Sequence, residues 1–162
     1  MYWDQIGHGG AELSVNSTRS ELQDQLHKNV FHPVLRKSFI VHPDGLIVLS
    51  ASKDGKTGSK LIFLEVDRGT EGLDRIRDKL TGYHLARDKD LFSSYGDFKS
   101  FTVLFQAHSL RRAQSIFEAL SDHVASDLAW VGCADDVSAE SILTGTVWKD
   151  QNGDLRRIVK AV

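Results

Sequence analysis

The chain has 162 residues, of which 41% are hydrophobic and 26% charged, a composition typical of one globular domain with its own core. One cysteine, Cys133, excludes an internal disulfide framework, and no apolar run is long enough to span a membrane. The formal net charge of −2 lacks the positive field of a typical nucleic-acid-binding protein, so such contacts would need a local basic patch. With no signal-peptide pattern at the N-terminus, we expect a cytoplasmic protein without a membrane partner.

The first half of the chain predicts a helix followed by three strands. Residues 1–16 have no clear periodicity and are expected to be a loop or a truncated lead-in. Thr18 and Glu21 match a capping box, which predicts a helix that continues to about Lys28. The strands predicted after this helix cover 37–42, 45–51 and 61–67. Turn residues in 53–58 predict a hairpin between the second and third strands, centred near Gly55.

The second half of the chain alternates helices and strands. Thr70 is a candidate N-cap for a helix to about Arg87, and Ser109 for a second helix with Val124 at the end of its buried stripe. Further strands are predicted at 101–105 and 128–133, and a hairpin turned by Asn152 and Gly153 closes the tail.

This order predicts an α/β fold with a central mixed sheet flanked by helices. A single domain is expected over 1–162, with its core at 17–133 and the closing hairpin at 144–162. Short turns between the early strands favour antiparallel pairs, and helical crossovers between the later strands favour parallel pairs.

Three acidic residues are placed by this pattern near one end of the predicted hairpin. Glu65 and Asp67 are two apart at the end of a buried strand, so their side chains point to the same side. A turn centred near Gly55 would set Asp44 opposite Asp67 and diagonal to Glu65. Converging carboxylates repel one another unless a cation lies among them, and oxygen ligands suit Mg²⁺ or Mn²⁺. Such an ion can activate water and neutralise charge on a phosphodiester.

Lys79 is the basic residue that the spacing brings toward this cluster. Glu65 lies roughly 7 Å back from the strand end. Lys79 lies roughly 12 Å along the helix that doubles back, a difference within reach of a lysine side chain, and Tyr83 shares its face. A structural interpretation stays open, in which Asp44 caps a turn and the other acids form an ion network with nearby bases. His32 and His42 flank the first strand and are minor candidates as metal ligands.

The segments Val41–Leu49, Phe63–Glu71 and Lys79–Tyr83 resemble the replication-relaxation family of plasmids and other mobile elements. The element order is also similar to the core of PD-(D/E)xK nucleases, a helix, three strands, a helix and a strand. The resemblance implies catalytic roles for Asp44 and Glu65. Asp67 stands where the nuclease motif carries lysine, and Lys79 on the following helix would replace that lysine. An acid from the first helix would be Glu21, or less favourably Glu12.

Three functional hypotheses follow. In the first, the chain is a DNA-processing nuclease of a mobile element, in which Asp44, Glu65 and Asp67 bind Mg²⁺ or Mn²⁺ and Lys79 stabilises the phosphate or positions water. In the second, a nuclease-like domain without chemistry binds DNA or partner proteins in replication or mobilisation, and DNA targeting would depend on this domain or on a partner. In the third, the acids of an unrelated α/β domain are structural.

Overall fold

Seven strands form the central sheet of the computed structural model, which describes residues 12–16, 27–96, 98 and 100–159. Strands β2 (Lys28–His32) and β3 (Lys37–Val41) pair in a separate two-stranded sheet. The central sheet has the spatial order β1 (Glu12–Asn16), β4 (Gly45–Lys53), β5 (Lys56–Asp67), β6 (Phe101–Ala107), β7 (Ala129–Cys133), β8 (Trp148–Lys149) and β9 (Leu155–Arg156). Strands β5, β6 and β7 are parallel and the other neighbours antiparallel, which confirms the predicted mixed sheet.

The two long helices lie on the same face of the sheet. Helix α1 (Leu73–Asp88) connects β5 to β6, and α2 (Leu110–Ser121) connects β6 to β7. Because successive parallel strands add in one direction, right-handed crossovers bring both helices to one face. The short helix α3 (Ser141–Thr144) packs on the opposite face, so helices flank the sheet as predicted.

The helix starts follow local capping chemistry. The Ser109 hydroxyl accepts a hydrogen bond from the Arg112 amide at 3.3 Å, which confirms the predicted N-cap of α2. The N-cap of α1 is Gly72, so the prediction of Thr70 was wrong by two residues. Helix α2 ends at Ser121, and Val124, which was predicted to be buried, is exposed in the turn beyond it.

Each face of the sheet has its own core, because β5 is covered on both sides at 61–63. The core under α1 and α2 contains Phe63, whose ring lies 4.5 to 5.2 Å from the rings of Tyr83, Phe92 and Phe101. The opposite core contains the fully buried Trp148, whose indole N–H donates to the Ile142 carbonyl at 2.9 Å. These two cores hold the end of β5 in a fixed position between the layers.

The N-terminal third differs from the sequence prediction. Residues Glu12–Asn16 form the edge strand β1, whereas a loop was predicted at 1–16. Lys28, the predicted end of a helix, begins strand β2, and His27 before it is not helical, whereas residues 18–26 of that predicted helix lie outside the described residues. The third antiparallel strand of the central sheet is therefore β1, because β3 pairs with β2 and leaves that position open.

The β4–β5 hairpin has a two-residue turn with positive φ at Asp54 and Gly55, which pairs Lys53 with Lys56. The predicted turn centre was too far along the chain, which displaced the expected pairing by two residues. The observed register brings Asp44, one residue before β4, opposite Glu65, so its predicted position opposite Asp67 was wrong.

The β2–β3 hairpin packs against α1 through one apolar face. Val30 and Phe39 are paired and buried there, and Gly82 of α1 permits the close approach. A Cβ atom at position 82 would lie 3.1 Å from Val41 Cγ2, closer than nearly all such contacts. The Lys89 ammonium also donates to the Phe31 carbonyl at 3.0 Å. The hairpin is thus held as a wall beside α1.

The C-terminal segment forms the predicted hairpin. Strands β8 and β9 are antiparallel, and Asp150 Oδ1 accepts the Asn152 amide at 2.9 Å in the turn between them. No helix in the described part of the chain has the length and apolar character needed to cross a bilayer.

We predict that Phe63→Ala lowers the free energy of unfolding by about 3–5 kcal/mol, because it leaves a cavity among three aromatic rings. Chemical denaturation monitored by circular dichroism measures this change. Leu110→Ala removes a 71% exposed side chain and serves as the control, expected within about 0.5 kcal/mol of the parent. Equal changes in both variants would contradict this description of the core.

Candidate functional site

The central feature of the site is the carboxylate of Glu65, which is only 3% exposed near the end of β5. The Tyr83 hydroxyl donates to Glu65 Oε1 at 2.7 Å, and the Lys79 ammonium donates to Oε2 at 3.0 Å. Both donors project from α1, one turn apart. Strand β5 and helix α1 are joined by only five residues, 68–72, so the two elements lie close together here. The contact between Lys79 and Glu65 confirms the reach expected from strand and helix geometry.

The electrostatics of this trio are set by burial. Burial raises the pKa of Glu65 above its usual range, although Lys79 and the Tyr83 hydrogen bond act in the opposite direction. Burial and the adjacent Glu65 carboxylate hold the pKa of Tyr83 well above its ordinary value, so the phenol stays a donor. Burial opposes the charge of Lys79, but Glu65 and Glu71 raise its pKa, so it stays an ammonium. A further cation bound beside Glu65 would therefore stabilise its ionised form and lower its pKa.

Asp44 lies beside Glu65 at the surface end of the same hairpin. Its backbone amide donates to the Leu64 carbonyl at 2.9 Å, and its Oδ2 accepts the Val66 amide at 2.8 Å. These two bonds extend the ladder past the start of β4 and hold an exposed carboxylate at the mouth of the site. The structure therefore brings Asp44 and Glu65 together, with the Asp44 charge adding to the raised pKa of Glu65.

Asp67 is held in a separate ion pair. The Arg112 side chain donates to Asp67 Oδ2 at 2.8 Å and to Oδ1 at 3.0 Å, a bidentate arrangement that uses both carboxylate oxygens. Although burial opposes ionisation, the Arg112 hydrogen bonds hold the pKa of Asp67 below its usual range. Asp67 points to the same face as Glu65, as predicted, but it contacts α2 whereas Glu65 contacts α1.

Glu71 connects the two acid positions. Arg112 donates to the Glu71 carbonyl at 2.6 Å, while the Glu71 carboxylate lies 2.8 Å from the Lys79 ammonium. Arg112 consequently holds the loop between β5 and α1 at both ends, through Asp67 before it and Glu71 near its end. Lys79 is shared between two carboxylates, and its position depends on the loop that Arg112 holds.

A groove with a volume of about 460 Å³ opens above Glu65 and Lys79. Its floor includes Asp44 and Glu71, and one wall is strand β3 of the small hairpin. The ionisable side chains along it are Lys37, Asp44, Glu65, Glu71, Arg75, Asp78 and Lys79, with His27 and His42 at the rim. Four acids therefore face three bases, and the groove has a small excess of negative charge when both histidines are neutral.

The histidines and the other acids considered from the sequence have smaller places in the site, or none. His42 lines the groove, with its ring 5.5 Å from that of His27, while His32 accepts the Leu35 amide within the hairpin turn. Glu12 pairs with Ser52, eight residues from Asp44 along β4, which is roughly 27 Å away. Glu12 is therefore not a site residue, and Glu21 lies outside the described residues.

Among the described residues, no three histidine, cysteine or acidic side chains are grouped as a metal site. Mg²⁺, however, is commonly bound by one or two carboxylates, with water and substrate phosphate as its other ligands. Asp44 and Glu65 fit that pattern because they lie on adjacent strands at the mouth of a groove. Asp67 fits it poorly because Arg112 closes on it in a bidentate ion pair and its pKa is lowered, whereas the pKa of Glu65 stays raised although Tyr83 and Lys79 donate to it.

Arg112 and Glu71 were not predicted as site residues from the sequence. Arg112 could have been predicted if β5 and β6 had been assumed to pair in parallel, because Asp67 then lies opposite Ala107. A helix that begins just after β6 must then start beside Asp67, and its first turn contains Arg111 and Arg112. Glu71 had no periodic signal, since its role depends on the path of a loop.

Comparison with protein-family models found no match, and comparison with curated proteins found none either. The resemblance to the replication-relaxation family and to PD-(D/E)xK nucleases therefore depends on the motif residues alone, and we treat it as an expectation.

We expect Lys79→Met to raise the pKa of Glu65 further, because it removes the main group that favours its ionisation. A raised carboxyl pKa gives stability that is complete below the ordinary value of 4.5 and is lost as pH rises through the folded-state value. The variant should therefore lose more stability than the parent between acidic and neutral pH. Carboxyl NMR titration and denaturation across this range measure both effects. An unchanged Glu65 titration would contradict the assigned contact.

The Asp67 ion pair gives the opposite pH dependence. We expect Asp67→Asn to lower the free energy of unfolding at pH 7 by about 3 kcal/mol, because Arg112 is left without its partner. A lowered pKa gives stability that is complete above the ordinary value of 3.8 and is lost as pH falls through the folded-state value. The difference between parent and variant should therefore shrink in strong acid.

Asp122→Asn is the matched control for this experiment. Its carboxylate pairs with Arg77 at 2.6 Å, but its side chain is 78% exposed. Solvent screening makes such a surface pair weak, so the control should change stability much less than Asp67→Asn. Comparable losses in the two variants would show that burial does not set the strength of the Asp67 pair.

Proposed function

We propose that this chain is a nuclease-like DNA-processing domain of a plasmid or mobile element, acting in the cytoplasm, with Mg²⁺- or Mn²⁺-dependent hydrolysis or nicking of a phosphodiester. The observation that supports it most directly is the buried Glu65 carboxylate, held by Tyr83 and Lys79 beside Asp44 at the mouth of a groove. A perturbed acid with a specific charge partner in a cleft is typical of functional sites.

The charge of the groove favours a role for a divalent cation. A phosphodiester is an anion, and it would meet four carboxylates against three bases along the groove. Lys37 and Lys79 are each already paired with a carboxylate, which reduces their attraction for a phosphate. Asp44 and Glu65 would hold the ion, which would neutralise phosphate charge and activate water.

The remaining roles belong to Lys79 and Tyr83 of α1 and to Asp67 of β5. Lys79, 3.0 Å from Glu65, would stabilise negative charge that develops on the phosphate or would orient water. Tyr83 is fully buried and would keep Glu65 in position through its hydrogen bond, so it is a positioning residue. Asp67 would act indirectly, by fixing the loop that precedes α1 through Arg112.

A second candidate function is a domain that binds DNA, or replication and mobilisation proteins, without chemistry. It is favoured by the internal pairing of the acids, since protein donors bind both oxygens of Glu65 and both of Asp67. In that case Lys79 permanently neutralises Glu65, and no catalytic ion is required. Salt-sensitive DNA binding without cleavage would identify this function.

We expect the parent chain to nick supercoiled plasmid DNA in Mg²⁺, and Glu65→Gln to reduce the rate by about 10²-fold or more, because the amide cannot hold the ion. Gel electrophoresis of nicked and supercoiled forms measures the rate. Lys79→Ala should also reduce the rate.

Glu118→Gln, an exposed change on α2, is the matched control and should nick at the parent rate. Circular dichroism confirms that each variant is folded. Cleavage that persists unchanged in folded Glu65→Gln would refute the assignment. A parent chain that binds DNA without nicking would favour the second candidate.

A further inference from the structure

The β2–β3 hairpin has an outer surface that its contact with α1 leaves unused. Strand pairing turns Val30 and Phe39 toward α1, so the neighbouring pairs point outward. Phe31 is 51% exposed and Ile40 is 50% exposed on that outer face. At the tip, Val34 is 83% exposed and Leu35 is 59% exposed. Four large apolar side chains within ten residues therefore face solvent on one small element.

This apolar surface lies in the most basic part of the described chain. Residues 27–43 contain no aspartate or glutamate, but they contain three lysine or arginine residues and three histidines, in a chain whose net charge is −2. Arg36 is exposed at the tip, and Lys89, the residue after α1, lies against the strand that carries Phe31. The hairpin thus presents the local basic patch that the overall composition lacks.

Polar groups and position complete the surface. Asn29 and Ser38 lie on the outer face beside Phe31 and Ile40, where their side chains can hydrogen-bond to bases or phosphates. The edge of β3 also forms one wall of the groove above Glu65. A chain bound along the outer hairpin would therefore continue toward Asp44.

We infer that the β2–β3 hairpin is a binding surface for single-stranded DNA. In it Phe31 stacks against an unpaired base, its aliphatic neighbours pack against the same strand, and Arg36 contacts a phosphate. An exposed aromatic ring among cations is the pattern by which proteins hold single strands without reading their sequence. This inference rests on the proposed DNA substrate and adds the element that would bring it to the groove. Lipid bilayers also attract apolar tips with cations, but the outer face carries Asn29 and Ser38, which favour a polar, base-bearing ligand.

The test is fluorescence anisotropy with a labelled single-stranded oligonucleotide in EDTA, so that binding is measured without cleavage. Phe31→Ala should weaken binding about tenfold or more because a stacked base is lost, and the double variant Val34→Ser with Leu35→Ser should also weaken it because apolar contact with the strand is lost. Arg36→Glu should weaken binding and reduce the dependence of log K on log salt by about one. Each residue is exposed, so the variants should keep the parent circular dichroism spectrum.

Matched controls change equally exposed residues elsewhere. Val124→Ser removes a 75% exposed apolar side chain beyond α2, and Lys56→Glu reverses an exposed charge at the far end of the β4–β5 hairpin. Both should bind like the parent. Parent-like binding by the hairpin variants, or equal losses in the controls, would overturn the inference. So would binding to phosphatidylserine vesicles, but not to DNA, that the hairpin variants abolish.

The result also separates this inference from the proposed function. Oligonucleotide binding that depends on Phe31, with no nicking by the parent chain, would support the hairpin surface and refute the nuclease assignment. Nicking that requires Glu65, with hairpin variants that bind and nick like the parent, would overturn only the inference.

Discussion

The arrangement of this domain around its groove depends on the cost of burying one carboxylate. Glu65 follows three residues of β5 that are covered on both faces, so strand geometry places its charge at the edge of the core. An isolated buried carboxylate is strongly unfavourable, and it is tolerated here because Tyr83 and Lys79 donate to it. Since both donors are on α1, a shift of that helix along the sheet would leave a buried polar group unpaired.

The two acids on β5 differ in how completely they are compensated. Burial opposes the charge of Asp67, but Arg112, the Gly69 amide and His108 together outweigh it, as the lowered pKa of Asp67 indicates. Glu65 loses more by burial than it gains from its donors, and its pKa is raised. An acid whose charge is fully stabilised by an ion pair usually has a structural role. An acid beside a groove whose pKa is still raised would be further stabilised as a carboxylate by a bound cation. This contrast separates the two acids by chemistry although they share a strand and a face.

The parts of this site that follow from regular geometry could be predicted from sequence. The rise of a strand and of a helix fixes the offset between Glu65 and Lys79, and the short connection 68–72 leaves little freedom. The position of Asp44 was less secure, because moving a turn centre by one residue changes the pairing by two. The pairing of Asp67 with Arg112 could not be predicted without knowing which strand lies next to β5. Strand β2 has only five residues and pairs locally, so its pattern was too short to distinguish from the end of a helix.

The charges of this chain are unevenly distributed, and that distribution matters more for the proposed function than the net charge. A total of −2 argues against nucleic-acid binding only when charge is spread evenly. Here residues 27–43 lack acids entirely, while the floor of the adjacent groove holds Asp44, Glu65 and Glu71. A polyanion would therefore be attracted by the hairpin and repelled at the floor unless a divalent ion bound there. Under the proposed function, DNA binding and DNA cleavage would therefore differ in their need for metal. The hairpin would bind DNA without a divalent ion, whereas Asp44 and Glu65 would support cleavage only with one bound.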